Sequence, residues 1–216
     1  QAGRTVNIKV DKTFSNPIVL ECMPKSDSMR IGISAAYENS NGDIMYIGHS
    51  NSSFQKIAFE LRDANGNVKN FKTYGGSYDQ QRIMTRKHPD GGFVVMALYS
   101  GYGDGDIGGN DTVKCGDFYN HDIWVFKTDS LGNMTNSTHF GSIRGDGMGD
   151  MNILPNGEIF LMLGIGGPGG INCDLGGCTS NTTTWNNNLY DIMGVQLDAN
   201  LNLIWSKCYG GSGLEN

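Results

Sequence analysis

Three stretches of this chain lie over one another: QKIAFELRDANGNVKNFKTYGGS (Gln55 to Ser77), HDIWVFKTDSLGNMTNSTHFGS (His121 to Ser142) and YDIMGVQLDANLNLIWSKCYGGS (Tyr190 to Ser212). Laid together, they bring Asp63, Asp129 and Asp198 into register, and, allowing for the second stretch being one residue shorter, Gly76, Gly141 and Gly211 as well. The aspartates stand 66 residues apart (63 to 129) and then 69 (129 to 198). Self-similarity in a fixed order of strands and turns marks a repeat architecture. A small unit built several times over is therefore the frame for every other reading.

Each stretch reads as a hairpin. IAFELRD turns at Asn65-Gly66 into VKNFKTY, and IWVFKTD turns at Leu131-Gly132 into MTNSTHF. The third turn is Asn200-Leu201, where leucine replaces glycine, so Asn200 or Asn202 is expected to carry any positive φ. A second hairpin precedes each of these. Ile31 and Ile33 alternate with small residues before Asn41-Gly42 and IMYIGHS. RIMTRKHPDGGFVVMALYS turns at Asp90-Gly91, and MNILPNGEIFLMLGIG at Asn156-Gly157. Asn-Gly and Asp-Gly predict two-residue type I′ turns, in which both central residues need positive φ. Two hairpins make a four-stranded unit.

FVVMAL and IFLML are near-continuous apolar runs rather than alternations, so both faces of their sheets should be covered. A four-stranded sheet buried on both faces and repeated along a chain is what a β-propeller blade requires. No segment keeps helical spacing through a dozen residues, and 32 glycines punctuate the chain. The fold expected is thus all-β: a β-propeller of four-stranded antiparallel blades, about three of them visible. Residues 1–29 read as an outer strand (Val6 to Val10) and a linker. Residues 30–216 hold the repeats, approximately 30–77, 78–142 and 143–212, followed by the start of a further blade. Closed propellers have about four to eight blades, so the array reads as incomplete.

The repeats exceed ordinary blade length, and the excess enters at one point, between the second and third strands. The first unit has Asn51 to Phe54 there, the second Gly101 to Asn120 and the third Gly167 to Leu189. In an up-and-down blade that loop emerges on the same face as the connectors YGGSYD and YGGSGLE. Loops grafted on a rigid scaffold are where binding residues concentrate, and this face is the expected binding face. Tyr102, Tyr119 and Trp185 offer stacking surfaces there, with structural packing as the favoured alternative for Trp185, and Asn186 offers an amide. Asp104, Asp106 and Asn110 place oxygen ligands in one glycine-rich insert, a pattern suited to a hard cation such as Ca²⁺. The competing reading is that Asp and Gly simply build turns.

Composition removes other classes. The formal net charge is −6, and Lys and Arg are scattered, which argues against nucleic acid as a partner. No apolar run is long enough to span a membrane as a helix. His49, His88, His121 and His139 lack zinc-like spacing, no GxSxG elbow occurs, and no residue reads as catalytic. Arg144-Gly145-Asp146 spells an integrin-type tripeptide, but three common residues recur by chance. Trp124 and Trp205 lie in strands and read as core. The chain opens on Gln1, as a product with its signal peptide removed would, or an excised fragment. Cys173 and Cys178 sit close enough for a local disulfide, which fits an oxidising compartment, with two free thiols as the alternative. Cys22, Cys115 and Cys208 are left over.

DGGFVVMALYS, GDGDIGGN, HDIWVFKTDSLGN and FGS, with the variant that ends in YGGSGLEN, resemble the propeller repeats of large secreted Bacteroidetes proteins of the type IX secretion class. The resemblance covers residues 30 to 216 and departs at HFGSIRGD and at the third turn. It implies an exported or cell-surface protein with a kelch-like or related propeller, with the type IX translocon or its surface components as partner. The resemblance usually carries no assigned activity, and two classes of function stay open, the absence of a recognisable catalytic constellation favouring the first. One is a surface interaction or structural module, adhesin-like or scaffolding, with a glycan or protein ligand. The other is part of a secreted polysaccharide-acting enzyme or carbohydrate-binding protein.

Overall fold

The computed structural model describes residues 31–51, 54–100, 104–108, 121–141, 145–166 and 190–209. The chain divides into a unit of residues 1–30 and one of residues 31–216, and every described residue belongs to the second. The strand expected at Val6 to Val10 lies outside the described residues.

Twelve strands form three antiparallel sheets in which chain neighbours are spatial neighbours. The first holds β1 (Ile31–Glu38), β2 (Ile44–Ser50), β3 (Ile57–Arg62) and β4 (Val68–Tyr74). β5 (Gln80–Lys87), β6 (Phe93–Ser100), β7 (His121–Thr128) and β8 (Met134–Phe140) make the second. The third consists of β9 (Gly147–Ile153), β10 (Ile159–Gly166), β11 (Tyr190–Leu197) and β12 (Leu203–Tyr209). A 3₁₀ turn at Gly105–Ile107 is the one helical element among the described residues.

The hairpin positions are as expected, but their turns are not type I′. At 39–43, 63–67, 88–92, 129–133, 154–158 and 198–202 the same five-residue loop recurs. Residue one accepts from the N–H of residue four and donates to the C=O of residue five, as in Gly132 N→Asp129 O (3.1 Å) and Asp129 N→Asn133 O (2.9 Å). Only residue four has positive φ: Gly42, Gly66, Gly91, Gly132, Gly157 and Leu201. This is a type I turn followed by a left-handed residue and a bulge, which needs one special residue rather than two. A side chain brackets each of the later loops of the three sheets. Asp129 Oδ1 accepts from the N–H of Leu131 (2.9 Å) and Asn133 (2.8 Å), while its Oδ2 accepts from Asn133 Nδ2 (2.6 Å). Asp63 with Asn65 and Asn67, and Asp198 with Asn200 and Asn202, repeat the pattern. That bracket is why the aspartates fall into register.

The third loop also corrects an expectation: Leu201 itself takes φ +70, not Asn200 or Asn202. The strain of a left-handed leucine, about 1–2 kcal/mol, is offset by burying its side chain, 5% exposed, in the apolar cluster between the second and third sheets. Burial of a leucine contributes about 1.5–3 kcal/mol.

The second sheet lies between the other two, and its period of two divides its side chains cleanly. Phe93, Val95, Ala97, Tyr99, Trp124 and Phe126 join Met45, Ile47, Ile57, Phe59 and Leu61 of the first sheet in one cluster. Val94, Met96, Leu98, Ile123 and Val125 join Ile159, Leu161, Leu163, Met193, Val195 and Leu197 of the third sheet in the other. Both faces are covered, as the unbroken apolar run of β6 implies. The first strands of successive sheets also lie side by side, β5 against both β1 and β9.

Polar contacts staple one sheet to the next. Asn70 Nδ2 on β4 donates to Leu131 O (3.0 Å), and Tyr74 OH donates to Gly132 O (2.7 Å). Between the second and third sheets, Asn136 Nδ2 donates to Asn200 O (3.3 Å). Lys127 Nζ bridges Asp90 Oδ2 (2.7 Å) and Ala199 O (3.0 Å), and His88 Nε2 donates to Gly157 O (3.0 Å). Burial works to raise the Asp90 pKa. Hydrogen bonds from Lys127, Gly92 and His88 outweigh it and lower it to about 2.

Candidate functional site

The inserts and the connectors leave the sheets at the same strand ends. At that end a cleft of about 540 Å³ opens between the second and third sheets, its wall including Arg82, Leu98, His121, Asp146, Met162 and Asp191. Each polar member is placed by a sheet end. His121 begins β7 and Asp191 is the second residue of β11, so each stands directly after an insert. Asp146, in the connector before β9, donates its N–H to His121 O (2.6 Å) and is 5% exposed. Its burial does not suit the exposed recognition tripeptide spelled by Arg144 to Asp146.

Arg82 owes its position to a bulge. The first strand of every sheet breaks register at the same repeat position: between Ile33 and Ala35, between Gln81 and Met84, and at Gly149 opposite the Met162–Leu163 step. At the third of these, glycine relieves the crowding, since an added Cβ at Gly149 would lie 2.6 Å from Met162 O. In β5 the bulge holds Arg82 at φ +47. A left-handed arginine costs free energy, and bulges beside sites re-aim side chains.

Two of the residues singled out in the second insert, Asp104 and Asp106, bond the first connector. Asp104 Oδ1 accepts from Ser77 N (2.7 Å) and Asp106 Oδ2 from Gly75 N (3.1 Å). Burial works to raise the Asp104 pKa, but the Ser77 hydrogen bonds prevail and lower it. Ile107 between them and the rest of the insert is 2% exposed and packs into the cluster shared by the first two sheets. The start of the insert is therefore a latch over the first connector. The latch also accounts for Gly76, where an added Cβ would meet Asp104 Oδ1 at 2.1 Å; at Gly141 an added Cβ would instead meet the Asp122 carboxylate of β7 at 2.8 Å. Among the described residues no group of three or more His, Cys, Asp or Glu side chains is arranged to hold a metal ion.

Asn110, Tyr102, Tyr119, Trp185, Asn186, Cys173 and Cys178 lie outside the described residues. Cys208, on β12, is disulfide-bonded, with its partner cysteine outside them as well. Trp124 is core as expected, fully buried and stacked on Phe126 at 4.3 Å between ring centroids. Trp205 is not: it is 37% exposed, because it stands on the face of the third sheet that no other described sheet covers.

Sequence reasoning did not single out Arg82 or Asp191, and it weighed His121 and Asp146 only for a zinc-type spacing and a tripeptide. A signal existed for one of them, since Asp122 and Asp191 share a repeat position immediately after the inserts. Arg82 gave none, because a bulge inside a polar edge strand leaves no compositional trace. No family model matches the chain, and no curated protein is significantly similar to it.

Proposed function

We propose that this chain is an exported, β-propeller-type interaction module that holds a glycan or protein ligand in the cleft at its insert-bearing end. The observation that carries the reading is Arg82: a residue held at φ +47 on the wall of a concave site stores strain that packing does not need, because its side chain is exposed. Strain of that kind is retained where it positions a side chain for use. The radial arrangement is supported by the ordered stacking of the three sheets and by the adjacency of their first strands. Export by the type IX route rests on the resemblance of the repeats.

A second reading has its own observation. Asp146 and Asp191 line one cleft, and glycoside hydrolysis is carried by paired carboxylates. A screen of the purified chain against polysaccharides separates the two: binding without turnover supports the module, and turnover that Asp191→Asn abolishes supports the enzyme. On the ligand that binds, Arg82→Gly should weaken binding at least tenfold while stabilising the fold by about 1 kcal/mol, as relief of a left-handed side chain does. Unchanged affinity in that variant would remove Arg82 from the site.

A further inference from the structure

The face of the third sheet that no other described sheet covers carries the parts of an interface that the chain already forms twice. Counted from the loop aspartates, Asn70, Asn136 and Trp205 share one repeat position, as do Lys72, Thr138 and Lys207, and Tyr74, Phe140 and Tyr209. The register agrees, since Asn70, Asn136 and Trp205 pair with Leu61, Lys127 and Gln196, each one step before the same bulge. On β4 these positions grip the loop of the following sheet. Asn70 donates to Leu131 O, Lys72 Nζ to Asn133 Oδ1, and Tyr74 OH to Gly132 O. On β8, Asn136 repeats the first contact and Phe140 is buried in the interface. On β12, Lys207 and Tyr209 restore the Lys and Tyr of β4 but have no loop to grip among the described residues. Lys207 Nζ lies 5.1 Å from the Tyr209 ring centroid, and Tyr209 is 51% exposed.

The apolar part of the face is present too. Phe160 and Met162 occupy the positions of Met45 and Ile47, which the second sheet buries completely, yet Met162 is 41% exposed. Gly194 stands where Phe59 and Val125 stand, and the Trp205 ring folds over it, 3.4 Å from where a Cβ would be. Trp205 is pinned there by its Nε1 donating to Gln196 Oε1 (2.6 Å).

We infer that this face docks a further four-stranded sheet of the same repeat, with an apolar facing surface and a loop ending in Gly-Asn for Tyr209 and Lys207 to grip. A second copy of the chain is the poorer occupant. The corresponding surface of its first sheet carries Glu60 and Arg62, which are 0% and 5% exposed and already joined at 2.5 Å.

The test joins a copy of residues 78–142 after Ser212 and compares it with the 216-residue protein. Peroxide oxidation of Met162, read by mass spectrometry, should slow by roughly tenfold in the extended chain, as for a methionine moved from surface to core. Tyr209→Phe should lower the unfolding temperature of the extended chain and leave that of the 216-residue chain unchanged. Equal Met162 oxidation in both proteins overturns the inference, including the case in which the added sheet exchanges its amides at unfolded-chain rates. A native mass twice that of the 216-residue chain, with Met162 protected in it, also overturns it by making a second copy the occupant.

Discussion

At the scale of single residues, the two interfaces solve one packing problem in opposite ways. Where the first sheet meets the second, Phe59 fills the space and the loop residue is Gly132, whose added Cβ would lie 3.2 Å from the phenylalanine ring. Where the second meets the third, the equivalent residues are Val125 and Leu201, both in the buried cluster. Bulk has moved from strand to loop, and with it the left-handed strain. Leu201→Gly relieves that strain but opens a cavity, so it should destabilise by about 2–3 kcal/mol. Val125→Phe alone overpacks and should cost about 1–3 kcal/mol. Together they rebuild the first interface, so the double variant in urea denaturation should be better than additive by at least about 1 kcal/mol. Strict additivity would contradict the exchange of bulk. The missing glycine of the third turn was visible in the sequence, but its reason was not. The reason lies 76 residues earlier, at Val125.

At the scale of elements, strands and hairpins were legible because period-two patterns and Gly-centred turns are local signals. The turn type was not, since Asn-Gly and Asp-Gly suit both a type I′ turn and a type I turn with a left-handed fourth residue. In the later loop of each sheet, the reach of Asp63, Asp129 and Asp198 to an asparagine four residues on favours the second. The same loops also carry charge between sheets. The Asp90 pKa falls from 3.8 to about 2 in the folded state, so Asp90 contributes stability that is fully present above its unfolded value and is lost as pH falls through about 2. The three loop aspartates are lowered as well and titrate in the same direction. Asp90→Asn should therefore reduce, without abolishing, the loss of unfolding free energy between about pH 4 and pH 2. Urea titrations at fixed pH points measure it. An unaltered slope would mean that the contacts with Lys127 and His88 do not persist in solution.

At the scale of the molecule, the order of the sheets was readable from the repeat alone, and the doubly apolar β6 announced a sheet covered on both faces. The site was less legible, because its wall is assembled from strand ends distant in sequence, and because the hydrogen bonds of Asp104 and Asp106 to the first connector join segments about 30 residues apart. That latch changes how the binding face must be tested. Removing all of Gly101 to Asn120 would take away Ile107 and expose the first interface, so residues 104–108 must stay. The decisive measurement is binding of the chain, on a ligand found by the polysaccharide and protein screen, before and after shortening residues 109–120 and 167–189 to the length of the first sheet's loop. Circular dichroism would confirm that the sheets persist. The expected result is a folded protein whose binding is lost. Undiminished binding in that folded variant, with Arg82→Gly equally without effect, would place the site elsewhere and contradict the proposal that this end of the sheets is the binding face.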